Sequence, residues 1–191
     1  MELILASKSP RRIDLLKMMG LSFSIQPCTD EERIDAAWGP DKVVEALATQ
    51  KAQSIYSKNP NCCVIGADTI VWYNGEVIGK PHSKEDAHAI LKKLQGNTHQ
   101  VYTGIAVITP NGMDVRHAIT SVTFAPMSEQ EINGYISTGE PMDKAGAYGM
   151  QGIGGVFVES VCGSSFNVIG MPIQVLYQML KKAKVIEEEQ A

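Results

Sequence analysis

Apolar positions recur along this chain in two rhythms. Consecutive apolar residues predict buried strands at Glu2-Leu3-Ile4-Leu5-Ala6 and at Cys63-Val64-Ile65-Gly66-Ala67. The second run passes through Asp68-Thr69 and continues as Ile70-Val71-Trp72-Tyr73, and Ser22 to Gln26 predicts another short strand. Helical spacing marks Pro10 to Met19, closed by Gly20, and a longer helix from about Asp41 to Ser57. In the longer helix Val43, Val44, Leu47, Ala48 and Ala52 share one face, with Lys51 beside that stripe. Asn74-Gly75 predicts a hairpin turn returning through Glu76-Val77-Ile78 to Gly79-Lys80-Pro81. Ser83 caps a helix to about Leu94, with Asp86 in its first turn and Gly96-Asn97 ending it.

Two β runs follow, Gln100 to Thr109 and Met113 to Ala125, joined by Pro110-Asn111-Gly112. Ser128 caps a helix to about Ser137, and Glu140 to Gly155 reads as irregular and glycine-rich. Val156 to Val161 predicts a strand, Gly163-Ser164-Ser165 a turn, and Pro172 to Lys184 a final amphipathic helix. Glu187 to Ala191 reads as a frayed tail. Strands alternating with helices around a hairpin predict an α/β fold with a mixed central sheet and flanking helices. The length suits one domain over residues 1–186, or two intimately joined lobes.

Composition narrows the class. Hydrophobic content of 44% and charged content of 20% are ordinary for a globular protein. A net charge of −4 makes a nucleic-acid partner an unfavourable reading but permits a local basic pocket. Cys28, Cys62, Cys63 and Cys162 have no C-x-x-C spacing and read as reduced core thiols. The start has no basic, long apolar leader, and no apolar run reaches the ~20 residues of a membrane span. A cytoplasmic protein without a membrane partner is expected. The oligomeric state is not fixed by sequence, and a homodimer is compatible with it.

Several segments carry candidate chemistry. Ser7-Lys8-Ser9-Pro10-Arg11-Arg12 places two hydroxyls, a helix start and two guanidinium groups together. Helix N-termini and Arg forks attract phosphate, whereas the plainer reading is a helix capped by Ser9 with Pro10 at its first position. Asp68 emerges from a buried run, so its carboxylate must be paired, hydrogen-bonded or metal-bound. A structural Asp competes there with a metal ligand or general base, while Gly66-Ala67 leave room for a close approach. Lys80, framed by Gly79 and Pro81, and Lys51 are each either exposed lysines or phosphate ligands.

The Asp143 to Gly152 stretch, with Lys144, Tyr148 and Gln151, suits recognition of a small polar ligand or is an ordinary surface loop. Gly163 to Asn167 is a turn that either contacts phosphate or simply reverses the chain. P-loop, dinucleotide and serine-hydrolase signatures are absent. His82, His88, His99 and His117 show no metal-ligand spacing and read mostly as surface residues.

Taken in order, these segments resemble the Maf family of nucleotide pyrophosphatases. The motifs are Ala6-Ser7-x-Ser9-Pro10-Arg11-Arg12, Gly66-Ala67-Asp68-Thr69, Gly79-Lys80-Pro81 and Val101-Tyr102-Thr103-Gly104. Then come Glu140-Pro141-x-Asp143-Lys144-Ala145-Gly146-x-Tyr148 with Gln151-Gly152, and Gly163-Ser164 leading to Asn167-Val168-Ile169-Gly170-Met171-Pro172. The resemblance implies an elongated Maf/ITPase-like fold with a cleft between two lobes. It implies hydrolysis of a nucleoside triphosphate between the α and β phosphates, with Mg²⁺ or Mn²⁺ as cofactor. The Asp143 to Gly152 loop is similar to that of the dTTP- and UTP-cleaving branch. The alternatives are a 7-methyl-GTP or modified-pyrimidine preference, or a non-catalytic nucleotide-binding regulator of septum formation.

The resemblance also assigns residues. Asp68 matches the catalytic proton acceptor, and the family acid falls on Asp30-Glu31-Glu32, with Glu32 preferred as its partner in metal binding. Lys51 and Lys80 match phosphate-binding lysines, expected with Arg11 or Arg12 to neutralise the triphosphate and the departing pyrophosphate, Lys80 counting among the catalytic residues. Ser7 and Arg11 are expected on phosphate, with Lys144 among the substrate-binding residues. Arg12, Thr69 and Gln151 match positions associated with substrate choice.

Overall fold

The structure, a computed structural model, describes residues 1–186. The tail expected at 187–191 lies outside the described residues. The strands are β1 (Leu3–Leu5), β2 (Ser24–Ile25), β3 (Cys63–Tyr73), β4 (Glu76–Ile78), β5 (Thr98–Thr109), β6 (Gly112–Phe124) and β7 (Val158–Cys162). The helices are α1 (Pro10–Met18), α2 (Pro40–Tyr56), α3 (Lys84–Leu94), α4 (Glu129–Ser137), α5 (Ser165–Ile169) and α6 (Ile173–Lys182). Sheet order is β2-β1-β3-β5-β6-β7, with β4 paired to β3. β1 runs parallel to β2 and β3, while β3–β4 and β6–β7 are antiparallel, so the sheet is mixed.

The chain divides into two compact units. The first comprises Met1–Asp68, Thr103–Ala118 and the chain from Gly170 onward. Its parallel register aligns Leu3 with Cys63 and Leu5 with Ile65. Val64, Gly66 and Asp68 alternate onto one face of β3. Val64 packs there in a cluster with Ile4, Ala6, Ala48, Ala52, Ile55, Ala106 and Ile108. Burying a Val or Ile side chain contributes roughly 1.5–3 kcal/mol, so this apolar seam anchors α2 firmly.

Glycine lets α2 come closer than side chains would allow. A Cβ on Gly66 would lie 2.2 Å from the Ala48 carbonyl oxygen, and one on Gly104 2.2 Å from that of Val44. The close approach that Gly66-Ala67 invited is therefore made by the protein's own helix.

The second unit comprises Thr69–Tyr102 and Ile119–Ile169. The hydroxyl oxygen of Ser83 accepts from the Asp86 N–H at 3.1 Å, capping α3 as expected. Ser128 and Glu131 form a reciprocal capping box on α4. Leu91, Leu94, Val101, Phe124, Ile132, Tyr135 and Tyr148 lie in its core cluster. His99, Phe124 and Tyr148 meet edge to face, with ring centroids 4.7–5.3 Å apart. His99 Nε2 and the Tyr148 hydroxyl are 2.8 Å apart.

Four local expectations change. His99 is buried rather than at the surface, and burial lowers its pKa to about 4. Of the cysteines only Cys63 is buried, its thiol pushed up to about 12 by burial, whereas Cys162 is exposed. The Glu140–Gly155 stretch contains short 3-10 turns at Glu140–Asp143, Ala145–Ala147 and Ile153–Phe157, and the last delays β7 to Val158. The turn expected after Gly163 opens directly into α5.

Candidate active site

In the first unit, three expected site residues converge. Asp68, only 9% exposed, bonds through Oδ1 to the Lys51 ammonium, and Glu32 Oε1 lies 2.8 Å from the same nitrogen. The local cause is the helix seat. Ala48 and Ala52 rest on Gly66, and Asp68 lies two residues further along the same strand face, so Lys51 comes over the acid. Glu32 sits on an irregular segment that α2 also fixes. The Gln50 side chain accepts from the Arg33 N–H at 2.9 Å and donates to the Arg33 carbonyl at 2.6 Å. Of the acids at Asp30-Glu31-Glu32, it is Glu32 that reaches Lys51.

The first motif is tied down nearby in sequence. Ser7 is buried directly after β1, and its Oγ accepts from the Ser9 N–H at 3.2 Å and from Arg12 Nη1 at 3.4 Å. Arg12 Nε donates to the Gly170 carbonyl at 2.9 Å, joining the first and last motif segments. Burial lowers the Arg12 pKa, an effect offset by Asp68 and reinforced by Arg11, with Glu32 also offsetting it. Two carboxylates and two guanidinium groups thus share one electrostatic environment. Ser9 occupies the N-cap position with Pro10 at the first turn, but its side chain makes no capping bond. The expected hydroxyl cap is corrected: the Ser9 side chain accepts no bond from the first turn, and the Ser9 N–H donates to Ser7 Oγ.

In the second unit, Thr69 follows Asp68 along β3 and is half-buried. Lys80 is exposed, and the segment before it meets the glycine-rich loop through a 3.0 Å bond from the Gly146 N–H to the Gly79 carbonyl. Lys144 Nζ donates to the Glu140 carbonyl at 2.7 Å and pairs with Asp143 Oδ1 at 2.6 Å. Gln151 is exposed. Tyr148, read as part of either a ligand-recognition loop or an ordinary surface loop, is a core residue bonded to His99, because its ring fills the cluster beside Phe124.

The order and spacing of these segments can be set against known proteins. The family model described as Maf-like protein matches residues 2–183. The chain belongs to the Maf family. A Bacillus pumilus relative, named dTTP/UTP pyrophosphatase, is 46% identical over 94% of this chain and 95% of its own length. Relatives of the same name from Geobacillus and Aquifex aeolicus are 44% and 42% identical, covering 95% and 97% of this chain and 97% of each relative. A solved HAM1 protein from Coxiella burnetii superposes with a TM-score of 0.52 at 14% identity, covering 97% of this chain and all of that one. That likeness concerns the fold alone.

Within this Maf-family chain, sequence reading missed Gln50, Tyr135 and the role of Glu140. The Gln50 side chain bonds to the Arg33 backbone, which leaves no side-chain pattern to detect. Glu140 lies inside a recognised motif, yet its partners are Tyr135 and the N–H groups of Ile153 and Gly154. A metal could be served by the first unit: Glu32 and Asp68 each bring a hard carboxylate oxygen to the neighbourhood of the Lys51 ammonium. Among the described residues no group of three or more His, Cys, Asp or Glu is assembled to hold a metal unaided. No helix among them is long and apolar enough to cross a membrane.

Proposed function

We propose that this chain is a pyrophosphatase acting on dTTP and UTP, adding water across the α–β phosphate bond to release a nucleoside monophosphate and pyrophosphate. The observation that carries this reading is the Glu32–Lys51–Asp68 cluster, an acid pair held against a cation at the end of a buried strand run. Pure phosphate-binding proteins gain nothing from carboxylates, which repel the ligand. An enzyme that must accept a proton from water and hold a divalent cation needs them.

In this reading Asp68 orients the attacking water and accepts its proton on a carboxylate oxygen. Lys51 holds that carboxylate in place and adds positive charge for the triphosphate. Ser7, Arg11 and Arg12 bind phosphate oxygens, the Arg12 fork being braced by the Gly170 carbonyl. Lys80 offsets charge on the departing pyrophosphate, and Lys144 contributes to substrate binding. Thr69 and Gln151, with Arg12, serve substrate choice, the Gln amide both donating and accepting as the pyrimidine edge requires. Mg²⁺ or Mn²⁺, held by Glu32 and Asp68, would supply charge neutralisation to the phosphates. Such an enzyme works on the cytoplasmic nucleotide pool.

The test is a panel of nucleoside triphosphates with Mg²⁺, with pyrophosphate and orthophosphate measured separately. Pyrophosphate from dTTP and UTP is expected, and orthophosphate without pyrophosphate would overturn the cleavage site. Chelation with EDTA should abolish turnover and added Mg²⁺ or Mn²⁺ restore it. Full turnover in EDTA would remove the metal from the scheme.

A further inference from the structure

The loop from Gly149 to Gly154 is built around one acid and one phenol. Glu140 Oε1 accepts from the Tyr135 hydroxyl at 2.8 Å and from the Gly154 N–H at 3.0 Å. Its Oε2 accepts from the Ile153 N–H at 2.9 Å. The Tyr135 oxygen in turn accepts from the Gly149 N–H at 3.2 Å. Met150, Gln151 and Gly152 therefore form an arch whose two feet, Gly149 and Ile153-Gly154, rest on the same pair of side chains.

The packing leaves little slack. A Cβ on Gly152 would stand 2.4 Å from Glu140 Oε2, and one on Gly154 2.3 Å from the Tyr135 oxygen. Only glycine fits at both places while the hub keeps its position. The hub is itself anchored: Tyr135 is buried on α4, whose first turn carries the capping box, and its ring packs on Phe157. Burial opposes ionisation of Glu140. The donors from Gly154, Ile153 and Tyr135 outweigh it, with the Lys144 charge adding to them, and the carboxyl stays below its ordinary pKa. Burial also raises the Tyr135 pKa, which keeps the phenol protonated as a donor.

We infer that Glu140 and Tyr135 are positioning residues for nucleotide selection, holding the arch from which Gln151 presents its amide to the base. This rests on the reading that Gln151 recognises the pyrimidine. A carboxylate bonded to fixed backbone donors has little capacity left for substrate, so Glu140 acts through the loop.

The experiment is a double-mutant cycle on selectivity, the ratio of kcat/KM for dTTP to that for dATP, using the full chain with Mg²⁺. Glu140→Gln keeps size but loses the charge and half of the acceptor capacity. It should lower the ratio about tenfold, through KM more than kcat. Tyr135→Phe should lower it less, and serves as the probe should Glu140→Gln not fold. Gln151→Ala should lower the ratio at least as far, and adding either hub substitution to it should cost little more selectivity. Independent, additive losses would overturn the positioning role while leaving Gln151 as reader. An unchanged ratio in Gln151→Ala would overturn the reading itself, and the inference with it.

Discussion

Two carboxylates in this molecule are satisfied in opposite ways. Asp68 is held by Lys51, a single ammonium on a flexible stem that also serves Glu32. Glu140 is held by two backbone N–H groups and a buried phenol, none of which can swing away without moving the chain. An acid neutralised by a side chain can exchange its partner, whereas an acid neutralised by backbone is part of the frame. The difference separates a carboxylate suited to chemistry from one suited to shaping a loop.

The largest effect that bears on this contrast comes from Asp68→Asn. Its kcat on dTTP should fall ~10²–10⁴-fold, as measured by pyrophosphate release. Glu140→Gln should fall far less in kcat, and an equal fall in both would erase the distinction between working and framing acids.

Next is the pH response of the framed unit. His99 is neutral when folded, with a pKa of about 4, against an ordinary value of 6.5 when unfolded. Between these values the unfolded chain binds the extra proton, so stability is lost as pH falls from 6.5 toward 4. The full loss is up to about 3 kcal/mol. Thermal melts across this window should show the slope, and His99→Phe should flatten it even though Tyr148 then lacks its partner. An unaltered slope would assign the acid sensitivity elsewhere.

Gly66→Ala should destabilise by about 1–3 kcal/mol and lower activity as well, because the added methyl displaces the helix carrying Lys51. Urea midpoints with an unchanged slope would isolate the stability term. The smallest effect is expected from Ser128→Ala, about 1 kcal/mol through loss of the α4 cap. A much larger loss would mean that the Tyr135 hub depends on that cap more than its buried ring suggests.

The legible parts of this molecule were those where a residue contradicts its surroundings. Asp68 stood out because an acid in an apolar run demands a partner, and the pairing with Lys51 meets that demand. Caps at Ser83 and Ser128 were readable because they bond within one turn. Ser9 misled because its residue type and position suit a hydroxyl cap, whereas its hydroxyl makes no capping bond and only its N–H is engaged, by Ser7. His99 and Tyr148 looked like surface polar residues, and the bond between His99 Nε2 and the Tyr148 hydroxyl joins them in the core across 49 positions of sequence. Gln50 and Glu140 were opaque for a related reason. Their partners are largely backbone groups, which every residue possesses and no composition reveals.

The seat of α2 carries one more consequence. A helix that rests on large side chains shifts whenever one of them is exchanged for another of different volume. Here Ala48 and Val44 meet bare backbone at Gly66 and Gly104, so contact is set by main-chain atoms. The height of Lys51 above β3 is thereby insulated from changes in the surrounding core. Aliphatic residues such as Ile55, Val64 and Ile108 can drift among similar sizes over generations while the reach from ammonium to acid keeps its length.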